Sequence, residues 1–121
     1  MFRRHTISVR HAYNGMMWAF RTQPNYKIHF FLSLVALIGA FLLEISQTEF
    51  IIVIALITIG LSIEAINTGI EATTDAIDRS IREDIKVAKD VAAGAMLIYA
   101  IGAFTIAAII FLPKIVMHIA P

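Results

Sequence analysis

The 121-residue chain is 59% hydrophobic, contains no cysteine and carries a formal net charge of +1, with a mean hydropathy of +0.78. A soluble domain of this length cannot hide so much apolar side chain, because small domains bury a small share of their surface. A water-soluble fold is therefore excluded, as are disulfides and thiolate metal sites, and the length allows one domain over 1–121.

Residues 1–27 contain Arg3, Arg4, Arg10, Arg21 and Lys27 and no acidic residue, interleaved with Phe2, Ile7, Val9, Tyr13, Met16, Met17, Trp18 and Phe20. This mixture predicts a basic amphipathic helix over 1–26 lying on an anionic membrane surface. No apolar run precedes a small-residue cleavage site, so a cleavable signal peptide is not expected. Pro24 should end or restart the helix, because it removes a backbone donor and disfavours helical geometry just before it.

From Ile28 to Leu43 the chain is apolar apart from His29 and Ser33. That run is about 24 Å long as a helix, so flanking residues must extend it, over 28–45, to cross a ~30 Å hydrocarbon core. Glu44, Ser46, Gln47, Thr48 and Glu49 form a short polar connection. A second apolar run, Phe50–Ile63, passes without a break into Glu64, Asn67, Glu71, Asp75 and Asp78. These five sit three and four residues apart, within a wedge of roughly 80° on one helix face. The expectation is one long helix over 50–78 that leaves the membrane at its cytoplasmic end while keeping an acidic stripe.

Residues 79–90 should form a solvated cytoplasmic connection and part of a helix. A third span is expected over 91–112, ended by Pro113 and Lys114. Its start, Ala92, Ala93, Gly94 and Ala95, is small enough for close helix approach in lipid. Lysine and arginine are concentrated in the arm and in the 78–90 connection. The N-terminus is thus expected in the cytoplasm and the C-terminus outside, in a multi-pass protein.

The stripe is the feature that calls for chemistry. Counted from Phe50, Glu64 lies about 21 Å and Glu71 about 31 Å along the helix, which places Glu64 just inside the cytoplasmic boundary and Glu71 at or beyond it. Ionisable groups within a span are costly and point to function. The plainer reading makes Glu64 and Asn67 polar contacts between helices and the remainder a solvated surface. Against it stand five oxygen acceptors on one face, the ligand type that Mg²⁺ with bound phosphates requires. Lys89 and Asp90, at the start of the third span, add a phosphate-binding cation and another acceptor, although a lysine there also serves as an interfacial anchor. No P-loop, GxGxxG turn or HExxH pair occurs, so any ATP site must be built from helix side chains. His5, His11, His29 and His118 show no ligand spacing. A non-enzymatic membrane oligomer, with a channel or proton pathway lined by Glu64 and Asn67, is the competing reading.

The runs E-A-I-N-T-G-I-E-A-T-T-D (Glu64–Asp75) and A-K-D-V-A-A-G-A (Ala88–Ala95), with N-G-M-M-W-A-F from Asn14 and P-N-Y-K-I-H at 24–29, resemble the small prokaryotic diacylglycerol kinase and undecaprenol kinase family. The likeness covers nearly the whole chain in order and hydropathy. It implies an all-α homotrimer in the cytoplasmic membrane that transfers the γ-phosphoryl group of MgATP to a lipid hydroxyl, with sites shared between protomers. Carried over, Glu64 matches the family's general base and Glu71 a metal ligand. Asn67, Asp75, Lys89 and Asp90 fall around the nucleotide, and Arg4 and His11 match N-terminal positions that approach ATP. The position before P-N-x-x-I-H, often a second metal-binding Glu, is here Gln23, a weaker ligand for Mg²⁺. The P-N-x-x-I-H stretch and the Ala-Ala-Gly-Ala start look more like the undecaprenol kinase branch. The implied partners are a lipid alcohol, ATP and membrane lipids, with no nucleic acid.

Overall fold

A computed structural model of the chain describes residues 2–80 and 82–120, with side chains from residue 7 onward. Among them there are only helices: α1 (Phe2–Thr22), α2 (Pro24–Leu42), α3 (Gln47–Ile77) and α4 (Glu83–Ile119). Three of these, α2, α3 and α4, are long and apolar enough to cross a membrane. The central element is α3, which packs on α4, α2 and α1.

Local chemistry explains the boundaries. Pro24 opens α2 at its first position, where its missing N–H costs nothing and its fixed φ suits a helix start. The break between α1 and α2 is therefore a single residue, Gln23. At the far end of α2, Glu44 adopts a positive φ of 48°, and the Ile45 amide donates to the Ala40 carbonyl at 3.2 Å. The Ser46 hydroxyl then accepts from the Glu49 amide at 3.3 Å, while the Glu49 carboxylate accepts from the Ser46 amide at 2.7 Å. This reciprocal cap fixes where α3 begins.

Between α3 and α4 the turn is tied by its own side chains. The Ser80 amide donates to the Asp78 carboxylate at 2.8 Å. Arg82 grips Asp84 through two donors, at 2.8 and 3.2 Å. The Ser80 amide holds the Asp78 carboxyl below the usual aspartate range. The Arg82 guanidinium, followed by the Ile85 amide, does the same for Asp84. Glu83 and Asp84 occupy the first turn of α4, where the helix dipole favours negative charge.

Several boundaries differ from those read in the sequence: α1 stops at Thr22, so residues 24–26 belong to α2; α2 stops at Leu42, short of 45; and α3 starts at Gln47, ahead of 50. The α3–α4 connection is confined to 78–82 instead of 79–90, because Glu83 and Asp84 begin a helix that runs directly into the third span. Nor does Pro113 end that span, since α4 continues through it to Ile119. A proline forfeits one backbone bond, which neighbouring groups can compensate in membrane helices. Continuing the helix also sets Lys114 3.1 Å from Glu49 at the start of α3.

The buried apolar residues are few: Ala19, Tyr26, Ala40, Val53, Ala92 and Ile110. Phe31, Phe41, Ile98, Phe104 and Ile109 are all exposed, and an apolar surface of that extent must face lipid or another chain. The α3–α4 pair closes around small residues. Tyr99 donates its hydroxyl to the Leu56 carbonyl, and its ring lies over Gly60, where an added Cβ would fall 2.5 Å from the Tyr99 oxygen and 2.7 Å from ring carbons. Gly60→Ala should therefore force α3 and α4 apart and cost about 1–3 kcal/mol, as overpacking does. Gly102→Ala, with nothing within 4 Å of the added carbon, should cost no packing. Thermal unfolding midpoints in detergent compare the two.

Candidate functional site

Because α3 is continuous from Gln47 to Ile77, Glu64, Asn67, Glu71 and Asp75 of the expected stripe share one helix face, whereas Asp78, its expected fifth member, is the extended C-cap beyond the helix. The burial of that face is graded. Glu64 is 2% exposed and Asn67 6%, Glu71 is half-buried, and Asp75 is exposed. Thr68 and Thr74 are also buried, but the Thr74 hydroxyl is satisfied by the Ile70 and Glu71 carbonyls.

Glu64 faces α2. Its Oε2 lies 3.8 Å from His29 Nε2, with the imidazole side chain 22% exposed and the carboxyl 3%. No other ion pair joins a histidine to an acid among the described residues. Nothing in the sequence spacing singled His29 out. The signal that could have found it is depth: His29 lies near the start of the first apolar run and Glu64 just past the end of the second, positions that antiparallel spans bring to the same level.

One turn along, the Asn67 side-chain oxygen is buried without a hydrogen-bond partner among the described residues. Such an acceptor costs free energy and calls for a donor supplied from elsewhere. Two turns further, Asp75 takes a 2.5 Å ion pair from Lys89 across the α3–α4 gap, so the lysine expected at the nucleotide does reach the acidic face. Asp90 does not. It pairs with Lys86 at 2.6 Å along α4 itself, in the i, i+4 arrangement.

Gln23 sits half-buried at the α1–α2 junction as the N-cap of α2, its amide 3.5 Å from the Thr22 hydroxyl. His11 is exposed on α1, with no hydrogen bond or ion pair to the α3 face among the described contacts. The side chain of Arg4 lies outside the described residues. Among the described residues, no three His, Cys, Asp or Glu side chains are grouped to hold a metal by themselves. Mg²⁺ that arrives with a nucleotide needs only one or two protein carboxylates, which the half-buried Glu71 on this face could supply.

Beside the face, α2, α3 and α4 line a half-open cavity of about 350 Å³. Its lining is apolar along most of its length, with His29 and Ser33 at one end and Leu43 and Ile115 at the other. The Ser33 and Tyr99 hydroxyls that border it are already satisfied by backbone carbonyls.

The face thus runs from a carboxyl buried in an apolar, membrane-spanning helix to groups that emerge and meet a lysine. Residues 10–111 match the family of prokaryotic diacylglycerol kinases, and the chain belongs to that family of lipid kinases. It is 39% identical to an undecaprenol kinase of Bacillus subtilis over 108 residues, 89% of this chain and 88% of that protein. It is 33% identical to a diacylglycerol kinase of Synechocystis over 110 residues, 90% of this chain but 63% of that protein. A diacylglycerol kinase of Pseudomonas aeruginosa is 32% identical over 84 residues, 69% of this chain and 68% of its own length. These relationships favour a kinase over the channel or proton pathway.

The unpartnered Asn67 oxygen generates a prediction. Asn67→Leu removes a buried acceptor that lacks a donor, so the thermal midpoint of the ligand-free protein should hold or rise, while phosphotransfer falls by at least ~10-fold. An isosteric loss of an unsatisfied polar group is close to neutral for folding. A large drop in midpoint would show that Asn67 serves the packing.

Proposed function

We propose that the chain transfers the γ-phosphoryl group of ATP to the hydroxyl of a membrane lipid alcohol, undecaprenol by preference, at the cytoplasmic face of a prokaryotic inner membrane. The observation that carries this reading is the graded α3 face, from buried Glu64 through Asn67 and half-buried Glu71 to exposed Asp75. A lipid hydroxyl and a charged nucleotide differ in the medium they can occupy, and a single helix face that runs from apolar to aqueous surroundings lets them meet.

Phosphoryl transfer asks little covalent chemistry of the protein. It needs alignment, neutralisation of phosphate charge and an acceptor for the hydroxyl proton. In this proposal Glu64 accepts that proton as the hydroxyl oxygen bonds to the γ-phosphorus and the bond to the leaving ADP oxygen breaks. The Asn67 side chain positions the reacting groups. Glu71 would give a carboxylate to Mg²⁺, and the ion when bound would supply charge neutralisation on the phosphates. Lys89, exchanging Asp75 for phosphate, adds positive charge, and Asp90, His11 and Arg4 complete the nucleotide side. One chain leaves the face open and much apolar surface uncovered, so we place the working site between protomers of a homotrimer, with the N-terminus in the cytoplasm and the C-terminus outside.

The preference for undecaprenol rests on the Bacillus undecaprenol kinase, which is matched over 88% of its length; the apolar cavity that ends at His29 suits the aliphatic tail of either lipid. Charged or hydroxylated tails have no partners there.

The test separates base from metal ligand. Glu64→Gln keeps shape and hydrogen bonding but cannot take up the proton, so kcat should fall by about 10²- to 10⁴-fold, the usual contribution of a positioned acid–base group. MgATP affinity should persist in that variant. Glu71→Gln should instead weaken MgATP binding, which calorimetry on the detergent-solubilised protein measures. Near-normal turnover by a folded Glu64→Gln protein would remove the base from this scheme. In the same assay Gln23→Glu should lower the Mg²⁺ concentration for half-maximal activity, and an unchanged requirement would place Gln23 outside the metal's reach.

A further inference from the structure

A base that is 2% exposed has a difficulty that phosphoryl transfer does not solve. Once Glu64 has taken the hydroxyl proton it is a neutral carboxylic acid in an apolar bundle, and it must lose that proton before the next turnover. Among the described residues no hydrogen bond reaches its side chain, and the single ionisable partner within ion-pair distance is His29, 3.8 Å away. The imidazole is the more exposed of the two, 22% against 3%. It also lines the end of the cavity between α2, α3 and α4.

We propose that His29 is the proton relay of the base: its neutral imidazole, unprotonated at Nε2, receives from the Glu64 carboxyl the proton taken up during transfer. This rests on the assignment of Glu64 as base. The steps balance without any further reagent. The lipid O–H bond breaks, the proton passes to Glu64, and the oxygen bonds to phosphorus as ADP leaves. The proton then moves from the Glu64 carboxyl to His29 Nε2, regenerating the carboxylate, and the imidazolium releases it to water. Besides His29, the ionisable group acting on Glu64 among the described residues is Glu71, on α3 itself. Only histidine among the side chains ordinarily exchanges its charge near neutral pH.

The experiment is chemical rescue. His29→Ala should lower kcat by at least ~10-fold, short of the ~10²–10⁴ contributed by the base itself, with KM for MgATP unchanged because His29 is not placed at the nucleotide. Added imidazole should restore turnover in proportion to its concentration. Pyrrole, which has the same shape but cannot accept a proton, should not. In the Glu64→Gln background, His29→Ala should add little further loss, since coupled residues are not additive. Unchanged kcat in His29→Ala, a loss that imidazole does not relieve, equal rescue by pyrrole, or additive losses in the double variant would each overturn the inference. Should His29→Ala fail to fold, His29→Gln serves, with the same expected split between kcat and KM, and unchanged kcat again overturning it. If Glu64→Gln is slow while the His29 variants are normal, only this inference fails. If Glu64→Gln turns over normally, the base assignment fails first.

Discussion

A carboxyl group buried in an apolar helix is the constraint on which the rest of this molecule depends. Glu64 sits among side chains that offer almost no polar company, and an unpaired charge in such surroundings is expensive. The protein accommodates it by bringing α2 alongside α3 so that His29 stands opposite. Replacing the pair by hydrophobic residues would simplify the bundle, because buried ion pairs are often no better for stability than good packing. Retaining a carboxyl there is consistent with a chemical need for one.

The α3–α4 hairpin supplies the frame. Three contacts along it lie in antiparallel register: Lys114 with Glu49 at one end, Tyr99 over Leu56 and Gly60 in the middle, and Lys89 with Asp75 at the other. The two end contacts are partly or largely exposed and contribute little each. The middle one is a close approach of a tyrosine to a glycine backbone that tolerates no extra carbon. Register fixed in the centre therefore determines which residues meet at the polar end, and it is why Lys89, not its neighbour Asp90, faces the α3 stripe.

Much of this was legible in the sequence. Hydropathy located three spans, since twenty or so apolar residues in a row have few other places to be. The stripe of Glu64, Asn67, Glu71 and Asp75 followed from helical spacing alone. What spacing within one helix cannot reveal is who stands opposite. His29 lies on a different helix from Glu64, and their meeting depends on how α2 crosses α3. The pairing of Asp90 with Lys86 was available from the i, i+4 rule but lay outside the pattern that drew attention to the A-K-D run. Pro113 does not end α4, because in a membrane helix backbone bonds have no competing solvent and neighbouring groups compensate the one that proline forfeits.

The central claim is that this chain phosphorylates a lipid hydroxyl with ATP, and the most direct measurement is product formation by the purified protein in lipid vesicles. Undecaprenol and diacylglycerol are offered separately with Mg²⁺ and ATP labelled at the γ-phosphate, and label is counted in the extracted lipid. The account predicts labelled undecaprenyl phosphate, formed at a higher kcat/KM than phosphatidic acid. Label that stays in the aqueous phase with both alcohols, from a folded protein that binds MgATP, would contradict it.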